Sequence, residues 1–69
     1  MNLRRRQQIN QIKSRIKECE ADRRWFLRLL TTGVNLAWIS ERVAENERDL
    51  RVLSRQLREL ERLELEDSA

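Results

Sequence analysis

Apolar side chains recur along this chain in alternating steps of three and four, and that rhythm is interrupted once. The first run is Ile9, Ile12, Ile16, Cys19, Arg23, Phe26 and Leu30. The second is Leu36, Ile39, Val43, Asn46, Leu50, Leu53, Leu57, Leu60 and Glu64. Steps of this kind put one stripe of side chains along one side of an α-helix, as in the seam of a coiled coil. The interruption is Thr31-Thr32-Gly33-Val34-Asn35. It contains the only glycine of a chain that has no proline. Gly33 suits a positive φ that closes one helix, and Asn35 suits the N-cap of the next.

The spacing therefore predicts an all-α chain of two helices, about 2–31 and 35–66, joined by a turn over 32–35. A connection that short makes the helices antiparallel neighbours. The whole chain, 1–69, reads as a single helical hairpin. The expected core is Ile9, Ile12, Ile16, Cys19, Phe26 and Leu30 against Ile39, Val43, Leu50, Leu53, Leu57 and Leu60. One register, in which facing positions sum to 69, pairs Ile16 with Leu53, Ile12 with Leu57, Ile9 with Leu60, Cys19 with Leu50 and Phe26 with Val43. It also sets Arg23 opposite Asn46 and Arg5 opposite Glu64. Arg23 and Asn46 read either as a polar pair that fixes register or as an arginine reaching out to solvent.

Charge supports the antiparallel arrangement. Arg4, Arg5, Arg6, Lys13, Arg15 and Lys17 crowd the front of the chain with no acid among them. Glu59, Glu61, Glu64, Glu66 and Asp67 crowd its end. Cations in a first helical turn and anions in a last one both oppose the helix macrodipole. A hairpin sets the two clusters side by side, where each offsets the other.

A chain of 69 residues has little core to draw on. Below roughly 70–80 residues one hydrophobic core rarely supplies more than ~3–5 kcal/mol. One cysteine and no histidine exclude an internal disulfide and make a structural zinc site implausible. Self-association is the remaining remedy, and pairing two hairpins into a four-helix homodimer is the expected form. The lone Cys19 suits a reducing, cytoplasmic setting. No run approaches a membrane span, so no membrane partner is expected. No histidine, no tyrosine, no glycine-rich loop and no nucleophile–base pair point to catalysis, and no cofactor, metal or small-molecule substrate is expected.

Apolar surface also occurs off the seam. Trp25 and Leu29 stand one helical turn apart on the first helix, and Trp38, Ala37 and Val34 lie just across the turn. Arg24, Arg28 and Arg42 flank them. Trp25, Arg28, Leu29, Trp38 and Arg42 are the candidate partner-binding residues, because tryptophan and arginine dominate interface hot spots. Burial of both tryptophans in a dimer interface is the competing reading. The basic first helix gives a second one, an RNA- or DNA-binding hairpin dimer, although no aromatics interleave with those bases for stacking. The stretch Trp25–Val43 also approaches helix-turn-helix spacing, but Leu29 and Arg42 occupy positions where that motif wants a small and an apolar residue.

In length, in its Gly33 turn and in its aromatic-capped helical pair the chain resembles small phage-encoded host-takeover proteins, in particular the anti-activator of quorum sensing of Pseudomonas phages. The resemblance covers the whole chain and rests on architecture and an arginine- and leucine-rich composition, without a diagnostic motif. It implies helical-hairpin dimers that bind a LuxR-type transcription activator and also a pilus ATPase. It further implies a stoichiometric inhibitor that occludes a DNA-binding surface. An adaptor within a larger secretion or virion assembly is a third reading.

Overall fold

The computed structural model describes residues 3–33 and 36–68. Helix α1 spans Leu3–Leu30 and helix α2 spans Leu36–Ser68. They pack side by side along their length in a body 52 × 14 × 14 Å. The expected ends differ slightly. Thr31 belongs to the turn, and α2 continues past residue 66 to Ser68. The expected N-cap Asn35, and Val34 beside it, lie outside the described residues.

Local chemistry explains why α1 stops. The Thr31 and Thr32 amides donate to the carbonyls of Arg28 and Leu29 at 3.1 and 3.0 Å. Their hydroxyls donate to the same two carbonyls at 2.7 Å each. Four donors thus satisfy two carbonyls that a helix end leaves orphaned. Gly33 then takes φ +75°, and a Cβ built there would meet nothing within 4 Å. The glycine is needed for its backbone conformation and not for space.

Only a narrow seam is buried. Ile9, Ile39 and Leu53 are the buried apolar side chains among the described residues. Ile12, Ile16, Cys19, Phe26, Leu30, Val43, Leu50, Leu57 and Leu60 are half-buried, as is Leu63, which the seam spacing does not include. Leu36, placed at the start of the second seam, is 56% exposed. Two helices side by side cover each other over one stripe only, so most seam residues keep one edge in solvent.

The polar seam positions separate into two different arrangements. Asn46 is buried, and its Nδ2 donates to the Cys19 backbone carbonyl at 2.9 Å. Its Oδ1 is buried without a hydrogen-bond partner. Arg23 does not face it in the seam. Its side chain is 48% exposed and pairs with Glu47 at 3.6 Å. Arginine has the reach to carry its charge out of the seam, whereas the short asparagine has to satisfy itself on the neighbouring backbone. The expected Arg23–Asn46 pair is therefore replaced by Asn46–Cys19 and Arg23–Glu47.

The open end matches the expected register. Arg5 donates to Glu64 at 3.3 Å and also to Asp67. No acid lies in the first turn of α1 and no base in the last turn of α2. Each helix end lacks its own compensation for the macrodipole and takes it from the other helix. The hydrogen bond that Arg5 donates to Asp67 is the largest cause holding its guanidinium above its ordinary pKa; burial opposes it, and the charges of Asp67 and Glu64 add to it.

Asn46→Leu should raise stability. It removes a buried, unpartnered acceptor, a defect of ~1–3 kcal/mol, and the Cys19 carbonyl keeps its place in the α1 ladder. A gain of about 1 kcal/mol should raise the thermal midpoint by roughly 4–8 °C for a chain of this size. An unchanged or lower midpoint would show that Asn46 is not an energetic defect of the seam.

Candidate interaction site at the loop end

Helical spacing sorts the exposed residues onto two flanks of the hairpin. Near the open end, one flank is a shallow groove lined by Gln8, Gln11 and Ile12 from α1 and by Arg55, Gln56, Glu59 and Leu60 from α2. Steps of seven lead from Gln8 and Gln11 to Leu29 and Trp25, and from Gln56 and Glu59 back to Arg42 and Trp38. Drift of about 20° per heptad leaves them on the same side. Both tryptophans therefore share a flank with the groove. The opposite flank carries a second groove, lined by Arg6, Asn10, Lys13, Glu61, Glu64 and Leu65. The first groove is dominated by glutamine and aliphatic groups and the second by charges.

At the loop end, Trp38 is the organising residue. Its ring meets the edge of Phe26 at a centroid distance of 6.2 Å and an interplanar angle of 78°. The Arg42 guanidinium lies over it, 5.6 Å from the ring centroid. Arg42 also pairs with Glu45 at 3.6 Å. Trp38 thus joins the seam, through Phe26, to an exposed cation, and it is still 45% exposed. Trp25 is 56% exposed. Leu29 is half-buried beside it. Arg28 is exposed and stands three residues from Trp25, the spacing of neighbours on a helix surface. Spacing and turn thus gather Trp25, Leu29, Trp38 and Arg42 at one end of one flank, with Arg28 at their margin.

The groups gathered there offer a contact chemistry. Aromatic faces, an aliphatic side chain and guanidinium groups can cover an apolar helix or groove and pair with carboxylates at its rim. Cys19 lies away from this patch on the seam. Burial, and then the charges of Asp49 and Asp22, push its thiol above the usual cysteine range, which disfavours the reactive thiolate. Among the described residues no cluster of three potential metal ligands occurs, and no helix is long and apolar enough to cross a membrane.

The sequence spacing did not single out the glutamine-lined groove or Val52, which is 49% exposed on the same flank. Their signal was available in the glutamines at positions 8, 11 and 56, which interrupt an otherwise charged surface. No family model, no curated protein and no solved structure matches this chain.

The two tryptophans should differ in their effect on the hairpin. Trp38→Ala loses the contact with Phe26 and the stacked Arg42, and should cost about 1–2 kcal/mol in urea unfolding at low chain concentration. Trp25→Ala, with no ring partner of its own, should cost under about 0.5 kcal/mol there. Equal losses would contradict the different roles given to the two rings.

Proposed function

We propose that this chain is a non-enzymatic protein-interaction module that pairs with itself along the glutamine-lined groove. In this reading it binds a bacterial host protein through Trp25, Arg28, Leu29, Trp38 and Arg42. One observation carries the reading: two tryptophans on one flank stay about half exposed beside an arginine stacked on one of them. Exposed aromatic groups next to arginines are uncommon on a surface with no partner, and common at the centre of interfaces.

Self-pairing is supported by the seam. Only three apolar side chains are buried among the described residues, and Ile12 and Leu60 line an open groove that a second copy would cover. A four-helix arrangement built this way makes stability depend on chain concentration. It leaves the loop end for the partner.

The resemblance to phage anti-activators makes a LuxR-type quorum-sensing transcription activator the first partner to test and a pilus ATPase the second. The mode of action would be stoichiometric inhibition in the bacterial cytoplasm, by occlusion of a DNA-binding surface. Acidic groups at the rim of the partner's site would meet Arg28 and Arg42.

The test is calorimetric titration of such an activator with the wild-type chain and with surface variants. Trp38→Ala should weaken binding at least roughly thirtyfold. Arg28→Ala and Arg42→Ala should each weaken it about tenfold. Circular dichroism on each variant separates lost binding from lost fold. Unchanged affinity in both arginine variants, with loss in Arg5→Ala and Lys13→Ala, would move the site to the basic front of α1. Of the front-end cations, Arg5 is engaged by Glu64 and Asp67.

A further inference from the structure

The outer face of α2 carries a second periodic stripe, independent of the seam. Arg48, Arg51, Arg55, Arg58 and Arg62 follow one another in steps of three, four, three and four. All five are exposed. Every cation of α2 is arginine, and the helix has no lysine. Arginines at such spacing are surface neighbours and repel one another, so a solvated helix normally interleaves them with acids at the same spacing.

Three of the four acids at helical spacing from Arg48, Arg51, Arg55 and Arg58 pair with other arginines. Glu45 pairs with Arg42 at 3.6 Å, and Glu47 pairs across the hairpin with Arg23 at 3.6 Å. Glu59 and Glu66 both pair with Arg62. The hydrogen bond and charge of Arg62 hold the Glu59 carboxyl below its usual range. Glu61, three residues beyond Arg58, makes no ion pair with it. Arg48, Arg51, Arg55 and Arg58 thus have no anionic partner among the described residues. Arg51, Arg55 and Arg58 frame a shallow depression together with Ser54 and the edge of Leu50. Three guanidinium groups and a hydroxyl around one depression suit a phosphate, which accepts paired N–H donors.

We propose that this arginine stripe binds the phosphate backbone of double-stranded nucleic acid. Arg48 to Arg58 spans ten residues, about 15 Å of helix axis, a length over which one strand of a duplex presents roughly four phosphates. No aromatic residue interrupts the stripe, so it has no stacking platform for unpaired bases. It has no broad apolar border to enter a lipid surface. The stripe lies on the outer side of α2, and Arg55 also borders the glutamine-lined groove. The stripe shares no residue with Trp25, Arg28, Leu29, Trp38 and Arg42, so substitutions in the stripe and at the loop end test the two proposals separately.

The test is fluorescence anisotropy with a labelled 25-base-pair duplex of mixed sequence, titrated with the full chain at several salt concentrations. Four phosphate contacts predict a slope of log affinity against log salt of about −3.6. Affinity should then fall about 150-fold between about 50 and 200 mM salt. Arg51→Gln with Arg55→Gln should reduce the slope by about 1.8 and weaken binding at least tenfold at the lower salt. The matching lysine substitutions should keep most of the slope. Circular dichroism reports whether the variants fold. No binding at about 50 mM salt and 100 µM chain would overturn the proposal, at a concentration where even non-specific affinities register. So would loss of binding in Lys13→Gln with Lys17→Gln while the arginine pair leaves it intact. Tighter binding to a single strand, or displacement of the duplex by polyglutamate at equal charge, would reassign the stripe to another class of ligand.

Discussion

Everything in this hairpin depends on how little two helices can bury against each other. Ile9, Ile39 and Leu53 are buried, and the other apolar seam side chains keep an edge in water. A third or fourth helix would normally close those edges. The chain instead spends residues on fastening the seam at its ends. Arg5 ties the start of α1 to Glu64 and Asp67, and two threonines with Gly33 close the turn. Between these ends Asn46 reaches the Cys19 carbonyl and Arg23 reaches Glu47. These contacts specify alignment more than they add stability, because surface ion pairs are weak and a buried amide with one unpaired oxygen is costly.

Unequal flanks follow from the same geometry. A two-helix seam has two grooves, and the heptad spacing gives them different residues. One groove collects Gln8, Gln11, Gln56 and, toward the turn, Trp25 and Trp38. The other collects Arg6, Lys13, Glu61 and Glu64. Covering the first would strand two charges, Arg55 and Glu59, and covering the second would strand four, Arg6, Lys13, Glu61 and Glu64. The first flank, which also carries the exposed tryptophans, is the less costly of the two to cover.

Much of this was legible in the residue spacing. The seam, the single turn at Gly33 and the Arg5–Glu64 contact all follow from steps of three and four and from a sum of 69. The Arg23–Asn46 pairing did not survive, because spacing locates a Cα and says nothing of how far a side chain can leave the seam. Arginine leaves and asparagine cannot. The exposure of the tryptophans was also beyond spacing alone, since an off-seam ring is covered or bare according to what packs beside it. The arginine stripe shares the seam's own rhythm on another face. That Arg48, Arg51, Arg55 and Arg58 lack ion pairs became visible only once Glu45, Glu47 and Glu59 were seen to be held by Arg42, Arg23 and Arg62.

If the seam is as incomplete as its burial indicates, folding and self-pairing are one equilibrium. The direct measurement is the urea midpoint of the wild-type chain, followed by circular dichroism at total concentrations from about 1 to 100 µM. Mass action requires the midpoint of a folding-coupled dimer to rise steadily across that range, by about 2.7 kcal/mol of added stability for a hundredfold change. A midpoint that stays constant, with a folded 8.4 kDa species at the lowest concentration, would show that two helices suffice and would contradict the account.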